Sequence, residues 1–396
     1  MTEKIYYKFI QFALGTYEGK EFLDGSALQG FDWQRFYAFA KKQTLAGIVM
    51  DGISRLPKEV APKLGLLMNW FMMSQNISRQ NMILNAATAE IYNKVKAAGY
   101  DCCILKGQAN AAMYANPAAR TPGDVDMWVD ASREEIRQLA QTLAKENGRI
   151  DEESYNHIAL TTNDISVELH YTPGFMANFT YNRRLQQWFR ESIAAQCRNM
   201  IALPDEAGEV AAPTAAFNAV YQLYHLYHHY FYEGVGLRQV VDYYYVMWNV
   251  ECEMKNSSLD NSSSQAKPRT TQHSTFNIQH SLTRLGLWHF AGAMMYVLHE
   301  VLGLPEEKMI APMDKKRGEM LLNDILCGGN FGHHDERHAW GRDTYDGNGF
   351  KHGALGHNLL RLHRDLRLLR YYPSEALSEP VFRLWHYYWR WKIHQS

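Results

Sequence analysis

The stretch Ile104–Val129, with the sequence ILKGQANAAMYANPAARTPGDVDMWV, decides the fold. An apolar, strand-like start reaches Lys106 and Gly107, a run of small residues follows, and the stretch ends in the segment GDVDMWV. Because successive side chains of a strand alternate between its faces, Asp124 and Asp126 are predicted to share one face. Two neighbouring carboxylates repel each other unless a cation lies between them. The pattern therefore indicates a site for a hard divalent cation, such as Mg²⁺, that leaves positions open for phosphate oxygens.

Outward from this stretch, the hydrophobic period predicts a small mixed sheet. Strands are expected at 101–106, 123–129, 156–162 and 165–171, and the pair Asn163-Asp164 has the composition of a two-residue hairpin turn. Start and stop signals predict helices at 108–114 and 133–147. These elements make up an α/β core at about residues 96–200.

The regions on both sides of the core have the period of helices. Residues 1–95 show apolar residues at three-to-four spacing, and so does the chain from about residue 205 onward. The C-terminal helices are predicted at 211–232, 237–250, 281–302, 315–327, 354–370 and 374–393. The fold class is thus α+β, with a small mixed-sheet core flanked by an N-terminal helical region (1–95) and a C-terminal helical region (201–396).

Composition limits the classes of function. The chain has 396 residues and a net charge of -1, so no global field favours a nucleic acid or a membrane surface. Its five cysteines are an odd number without a C-x-x-C motif, which is typical of a reduced, cytoplasmic protein. The start of the sequence has no secretory leader pattern and no run is long enough to span a membrane. The polar segment 255–279 is predicted to be a mobile insertion.

The segment VELHY places a third acid, Glu168, on a strand near the first two. Phosphoryl transfer needs metal ligands, which Asp124 and Asp126 supply, and a backbone that comes close to the phosphates, which Gly107 permits at the start of a helix. Glu168 either completes a second metal site or accepts the proton of an attacking hydroxyl.

The order of these motifs resembles the nucleotidyltransferase superfamily with the polymerase-beta-like fold. The blocks LKG, RTPGDVDMWV, VELHY, GVGLRQVVDYYY and GGNFG more narrowly resemble the bacterial uncharacterised nucleotidyltransferase family, over about residues 20–390. The resemblance implies metal-dependent transfer of a nucleoside monophosphate from an NTP, with release of pyrophosphate. It assigns Gly107, Asp124, Asp126 and Glu168 to superfamily positions. At one position the sequence departs, because Gln108 follows the motif glycine where the superfamily usually has serine.

Several polar residues near the motifs are candidates for binding the nucleotide. Lys106, Gly107 and Gln108 form the turn, where Lys106 either steadies a phosphate or is solvated. Arg120 either reaches the triphosphate or pairs with the acid cluster or Asp130. Arg238 either contacts a phosphate or the acceptor, or pairs with Asp242 at i+4.

Three further patterns each have a structural and a functional interpretation. His225, His228 and His229 lie on one helix, either as a structural zinc site or as imidazoles of a core or cleft. The segment His333–His338 has metal-ligand chemistry without a tight spacing rule. Arginines recur every third residue from Arg361 to Arg370, and they form either a solvated face or a surface that binds an anionic acceptor. The aromatic residues from Phe382 to Trp389 are expected to pack within the protein.

The predicted function is transfer of a nucleotide to a hydroxyl of an unidentified acceptor, which is a small molecule, a peptide or a protein. Asp124, Asp126 and Glu168 hold Mg²⁺ or Mn²⁺, and the NTP is the donor. Two alternatives stay open. One is a catalytically inactive relative that binds a nucleotide or a protein, and the other is a D-x-D nucleotide-sugar glycosyltransferase, which needs several βα units ahead of the motif.

Overall fold

The computed structural model describes residues 2–145, 148–259, 271–332, 344–345, 350–351 and 354–393. The N-terminal region is helical, as predicted. Its five helices are α1 (Thr2–Leu14), α2 (Lys20–Leu23), α3 (Trp33–Lys42), α4 (Ala46–Ile53) and α5 (Leu64–Ala97). Aromatic rings fill its core, where the ring centroids of Phe9 and Phe36 lie 5.2 Å apart and Trp70 is fully buried. The long α5 ends before Gly99, whose φ of 91° suits the predicted helix stop.

A five-stranded mixed sheet forms the core of the molecule. Its strands are β1 (Cys102–Ile104), β2 (Val125–Val129), β3 (Gly148–Glu153), β4 (His157–Thr162) and β5 (Ile165–His170), in the spatial order β1-β2-β5-β4-β3. Only β2 and β5 pair in parallel, and the other three pairs are antiparallel. The predicted α+β fold class is therefore confirmed, whereas the predicted domain boundaries stay predictions.

Strand β3 was missed by the sequence pattern. Its sequence, GRIDEE, is mostly charged, and its side chains are largely exposed because β3 lies at the edge of the sheet and pairs only with β4. The predicted hairpin turn between β4 and β5 is confirmed: Asn163 and Asp164 have φ values of 48° and 63°, as a two-residue turn of the primed type requires.

Three helices and a small hairpin follow or connect the strands of the sheet. Helix α6 (Gln108–Ala111) is shorter than the predicted 108–114, and α7 (Arg133–Ala144) begins with a capping box between Ser132 and Glu135. Helix α8 (Phe179–Gln196) was not predicted. A hairpin of β6 (Met200–Ala202) and β7 (Glu209–Ala211) follows it, so the predicted helix 211–232 begins only after this hairpin.

The C-terminal region is helical with two small strands. It contains α9 (Ala215–Tyr232), α10 (Leu237–Leu259), α11 (Thr271–Arg284), α12 (Trp288–Leu302), α13 (Lys315–Gly328), β8 (Thr344–Tyr345), β9 (Phe350–Lys351), α14 (Ala354–Leu368) and α15 (Pro373–Ile393). The predicted helix 281–302 is wrong as one element, because Gly286, with φ of 74°, separates α11 from α12. Of the predicted insertion 255–279, residues 260–270 lie outside the described residues, and the flanks belong to α10 and α11.

Helix α9 is packed against the sheet and is nearly all buried. The ring of Phe217 stacks on Trp128 of β2, with 5.9 Å between the ring centroids, and on Trp188 of α8, with 4.4 Å between the centroids. This packing places α9 against β2, and Gln222 of α9 also donates to the backbone oxygen of Leu105, just after β1. No described helix has the length and apolarity needed to cross a membrane.

Candidate active site

The parallel pairing of β2 and β5 brings the three predicted acids together. Asp126 lies opposite Glu168 in the register of these strands, and Asp124 immediately precedes β2. Carboxylate oxygens of Asp124, Asp126 and Glu168 all lie within 4.8 Å of one another. On the opposite face of the sheet, Met127 and Leu169 are completely buried in the core. The alternation of apolar and acidic residues thus produces one buried face and one acidic face, as the sequence predicts.

Asp126 is the most deeply buried of the three acids, with 0% of its surface exposed. Its Oδ1 lies 3.1 Å from Nζ of Lys106 and 3.2 Å from Nε2 of His170. Its Oδ2 is buried and has no hydrogen-bond partner. A buried carboxylate oxygen without a partner is costly, so this atom is suited to a cation ligand.

Lys106 is directed into the acid cluster. Its Nζ also lies 3.1 Å from Nε2 of His225 on α9. Burial alone would lower the pKa of Lys106, but the carboxylates of Asp126, Asp124 and Glu168 raise it above its usual value. The side chain is thus a largely enclosed ammonium group that pairs with Asp126 within the site, rather than a fully solvated one.

Gly107 makes the turn that the motif requires, but the side chain of Gln108 faces away from the site. Gly107 has φ of 64°, and a Cβ there would lie 3.0 Å from the backbone oxygen of Asp124. The amide nitrogen of Gln108 instead donates to Oδ1 of Asn85 on α5 and lies 3.5 Å from Oδ1 of Asn81. The structure does not bring the Gln108 side chain to the acid cluster.

The two predicted arginines line a cavity that also contains the acid cluster. Their partners differ from those expected. Arg120 forms a two-pronged ion pair with Asp242, at 2.7 and 2.9 Å, and Tyr114 donates to the same carboxylate at 2.6 Å. Arg238 donates to the backbone oxygen of Thr121 at 3.0 Å rather than pairing with Asp242. Burial alone would lower the pKa of Arg120, and Asp242 raises it above its usual value. Nη1 of Arg120 is buried without a partner.

Two histidines next to the acids were not found from the sequence. His157 on β4 lies opposite His170 on β5 in the strand register. Nε2 of His170 lies 3.2 Å from Oε2 of Glu168, and Nε2 of His157 lies 3.7 Å from Oε1 of Glu168. The available signal was the spacing in VELHY, which places His170 two residues after Glu168 and so on the same face.

The charges of this group depend on one another. Burial would raise the pKa of Glu168, but the hydrogen bond from His170 and the nearby cations lower it to about 2. Burial would lower the pKa of His170, but its hydrogen bonds to Asp126 and Glu168 raise it to about 9. Burial lowers the pKa of His157 to about 4. At neutral pH, Glu168 is therefore a carboxylate beside a protonated His170 and a neutral His157.

The histidines of α9 line the cavity, which confirms one predicted alternative. His225, His229 and Glu233 form a chain, with 2.9 Å between the two Nε2 atoms and 2.9 Å between Nδ1 of His229 and Oε2 of Glu233. Within the described ranges, the two groups with metal-ligand spacing both contain Glu168, and neither contains these histidines. The predicted segment His333–His338 lies outside the described residues.

The other predicted surfaces are packed or paired. Arg364 donates to the backbone oxygens of Phe231 and Glu233, and Arg367 pairs with Asp324 at 2.5 Å. The ring of Phe382 stacks on Phe175 at 5.0 Å between centroids, so the expected packing is confirmed for Phe382, whereas Trp385 and Tyr388 are exposed.

The acid cluster and Lys106, the histidines of β4, β5 and α9, and the two arginines line one cavity of about 440 Å³. The acids and Lys106 line it from the sheet, Arg120 and Arg238 line another part, and Phe175 and Tyr224 contribute aromatic surface. The size is within the usual range for small-molecule sites. The all-oxygen set of Asp124, Asp126 and Glu168, together with the partnerless Oδ2 of Asp126, fits a hard divalent cation such as Mg²⁺.

Comparison with known proteins gives one match. The model of a family described as "Uncharacterised nucleotidyltransferase" matches residues 29–301, which is more than half of the chain and includes the three acids. No curated protein matches, and no solved structure matches. The matched region covers β1, β2 and β5, which form the site, and it extends through α12. The chain therefore belongs to this nucleotidyltransferase family.

Proposed function

We propose that this protein is a metal-dependent enzyme that transfers a nucleoside monophosphate from an NTP to a hydroxyl group of an acceptor. The observation that carries the proposal is the meeting of Asp124, Asp126 and Glu168 within 4.8 Å in the cavity. Membership of a nucleotidyltransferase family supports the same class of reaction. In the reaction, a bond forms between the acceptor oxygen and the α-phosphorus, and the bond from the α-phosphorus to the bridging oxygen breaks to release pyrophosphate.

The acids are the proposed ligands of Mg²⁺ or Mn²⁺, which when bound neutralises phosphate oxygens and aligns the nucleophile. For Glu168, a pKa of about 2 favours the ligand role over the role of general base, because so weak a base takes a proton from a hydroxyl inefficiently. Lys106 supplies a fixed positive charge beside the acids. Gly107 lines the cavity, and the absence of a side chain there lets phosphate oxygens approach the backbone.

Arg120 and Arg238 are proposed to bind the phosphates of the NTP or the acceptor. Both guanidinium groups are buried in the wall of the cavity, and the pair with Asp242 holds Arg120 in one orientation. Nη1 of Arg120 has no hydrogen-bond partner and is available to an anionic oxygen. The acceptor is a small molecule, a peptide or a protein, which meets the NTP in the same cavity.

One observation favours a second candidate, an inactive relative that binds a nucleotide without transferring it. The turn at Gly107 opens a helix of only four residues, and Gln108 is directed toward Asn85 rather than toward the cavity. A nucleotide-sugar glycosyltransferase is a weaker candidate, since β1 is the one strand ahead of β2 in the described residues 2–124.

Thermal unfolding and pyrophosphate release together distinguish these candidates. Purified protein with Mg²⁺ is heated with each NTP, with UDP-sugars or without ligand, and pyrophosphate release is measured with a mixture of acceptors from a cell extract. Stabilisation by an NTP and release of pyrophosphate support the transferase. Stabilisation without release supports the inactive relative, and stabilisation by UDP-sugars alone supports the glycosyltransferase. The absence of any NTP binding contradicts the proposal.

A further inference from the structure

Three side chains at the edge of the acid cluster have a donor chemistry different from that of the acids alone. His157, Glu168 and His170 offer two imidazole nitrogens and one carboxylate oxygen, all within 4.8 Å of one another. We propose that these three residues form a second metal position, which takes a divalent metal ion such as Zn²⁺ or Fe²⁺. The proposal concerns metal binding by the protein alone, so it does not rest on the proposed transfer of a nucleotide.

The strand register places the three donors on one face of the sheet. His157 and His170 are direct partners of the antiparallel β4–β5 pair, and Glu168 is two residues from His170 on the same strand. Partners across a pair and residues at i and i+2 point to the same side. The intervening residues Ile158 and Leu169 are buried in the core on the other face. The donors are therefore held by the regular sheet rather than by loops.

The separations between the donors are close to those of ligands that share one ion. Nε2 of His170 lies 3.2 Å from Oε2 of Glu168, and Nε2 of His157 lies 3.7 Å from Oε1 of the same residue. Ligands bound at about 2.1 Å to one ion lie about 3.0–3.4 Å apart in octahedral or tetrahedral geometry. The separation of His170 from Glu168 lies within this range, and that of His157 lies outside it, so a shared ion requires the imidazole of His157 to move closer.

The donor set selects the class of metal. Imidazole nitrogen suits zinc, iron and other first-row transition metals, whereas Mg²⁺ and Ca²⁺ prefer oxygen ligands only. Two histidines with one carboxylate is a combination found in sites of zinc and of iron that keep open positions. The neighbouring set of Asp124, Asp126 and Glu168 is purely oxygen and fits the hard cation. Glu168 belongs to both sets, so its carboxylate bridges two positions of different preference.

A separate observation points to a cation beside His170. Asp126 is fully buried, its Oδ1 lies 3.2 Å from Nε2 of His170, and its Oδ2 has no hydrogen-bond partner. On the other side of the imidazole, the amide nitrogen of Asn156 lies 3.4 Å from Nδ1 of His170. Rotation of this amide by 180° presents its oxygen to Nδ1–H, which is the contact that orients a metal-bound histidine. The metal ion then replaces the proton on Nε2 of His170.

The test measures metal binding without nucleotide. The full chain is stripped with a chelator and titrated with Co²⁺, whose visible absorption reports nitrogen ligation, and with Zn²⁺ by calorimetry. We expect wild type to bind one ion with nitrogen ligands. The variant His157→Gln binds Co²⁺ at least about tenfold more weakly, while His280→Gln, which alters an exposed histidine of α11, binds as wild type does.

Anomalous diffraction from wild-type crystals soaked in Zn²⁺ keeps the test valid if His157→Gln does not fold. A peak between His157, Glu168 and His170 supports the proposal. A peak only beside Asp124 and Asp126, or equal Co²⁺ affinity of folded His157→Gln and wild type, overturns it. The absence of nucleotide transfer would not change these metal-binding results, so each of the two proposals can be contradicted independently of the other.

Discussion

At the scale of single residues, the buried carboxylate of Asp126 is compensated by cations of the chain itself. Lys106 and His170 contact its Oδ1, and its Oδ2 remains without a partner. The alternation of side chains on β2 was enough to predict that Asp124 and Asp126 share a face. The contact of Asp126 with His170 and that of Lys106 with His225 were not predictable, because they depend on the strand register and on the packing of α9, which no local pattern specifies.

A buried ion pair between Arg120 and Asp242 links the connection before β2 to α10. The change Asp242→Asn leaves the guanidinium of Arg120 buried without its counter-charge, and we expect a loss of about 3–5 kcal/mol in the free energy of unfolding. Chemical denaturation measures this loss. The control Asp101→Asn breaks the exposed pair with Lys96 and is expected to cost at most about 1 kcal/mol. Equal losses in the two variants contradict the structural role of the buried pair.

The buried carboxyl of Glu375 is expected to make stability depend on pH. It accepts hydrogen bonds from the backbone N–H groups of Ala177 and Asn178, and burial raises its pKa from 4.5 to about 7. Because the pKa of Glu375 is higher in the folded protein than in the unfolded chain, its protonated form contributes to stability. This contribution is complete below about pH 4.5 and is lost as the pH rises to about 7.

The change Glu375→Gln keeps the group neutral and removes this loss. We expect the free energy of unfolding of the variant, minus that of wild type, to increase between pH 4.5 and 7 by up to about 3 kcal/mol, since one unit of pKa is about 1.4 kcal/mol. Denaturation at several pH values measures the difference. The exposed control Glu307→Gln should give a flat difference, and a flat difference for Glu375→Gln shows that its pKa is not raised.

At the scale of elements, the turn between β1 and α6 determines where the backbone of Asp124 lies. The lysine-glycine turn was predictable, because Gly107 adopts a conformation that other residues rarely take. The length of α6 and the direction of Gln108 were not predictable, since they depend on contacts with α5. Strand β3 escaped prediction because an exposed edge strand has no alternation of apolar and polar residues.

A glycine substitution tests this turn. Gly107→Ala places a Cβ 3.0 Å from the backbone oxygen of Asp124, whereas Gly99→Ala, also at positive φ, meets nothing within 4 Å. Both variants are expected to lose about 1–3 kcal/mol of stability through backbone strain. Only Gly107→Ala should weaken the binding of Mg²⁺ with ATP, by about tenfold or more, because a misplacement of about 1 Å is costly in a site. Calorimetry measures the affinity, and equal affinities of the two variants contradict the role of the turn.

At the scale of the whole molecule, the cavity lies where the sheet meets the C-terminal helices. The acids come from β2 and β5, while His225 and Arg238 come from α9 and α10. The periodicity of the hydrophobic residues was sufficient to predict that both flanks are helical and that the core is a small mixed sheet. The contact between Lys106 and His225, which are far apart in the sequence, depends on how α9 packs against the sheet through Phe217 and Trp128. Long-range packing of this kind has no signature in one sequence.

The three acids are proposed to support transfer of a nucleotide. Wild type, Asp126→Asn and the matched control Asp130→Asn, which alters an exposed acid just after β2, are incubated with Mg²⁺, a cell extract and each α-labelled NTP. We expect wild type and Asp130→Asn to attach the label to an acceptor, and Asp126→Asn to lose at least about a hundredfold in rate, while its thermal unfolding shows a folded protein. Equal labelling by a folded Asp126→Asn variant, or no labelling by wild type with any NTP, contradicts the account.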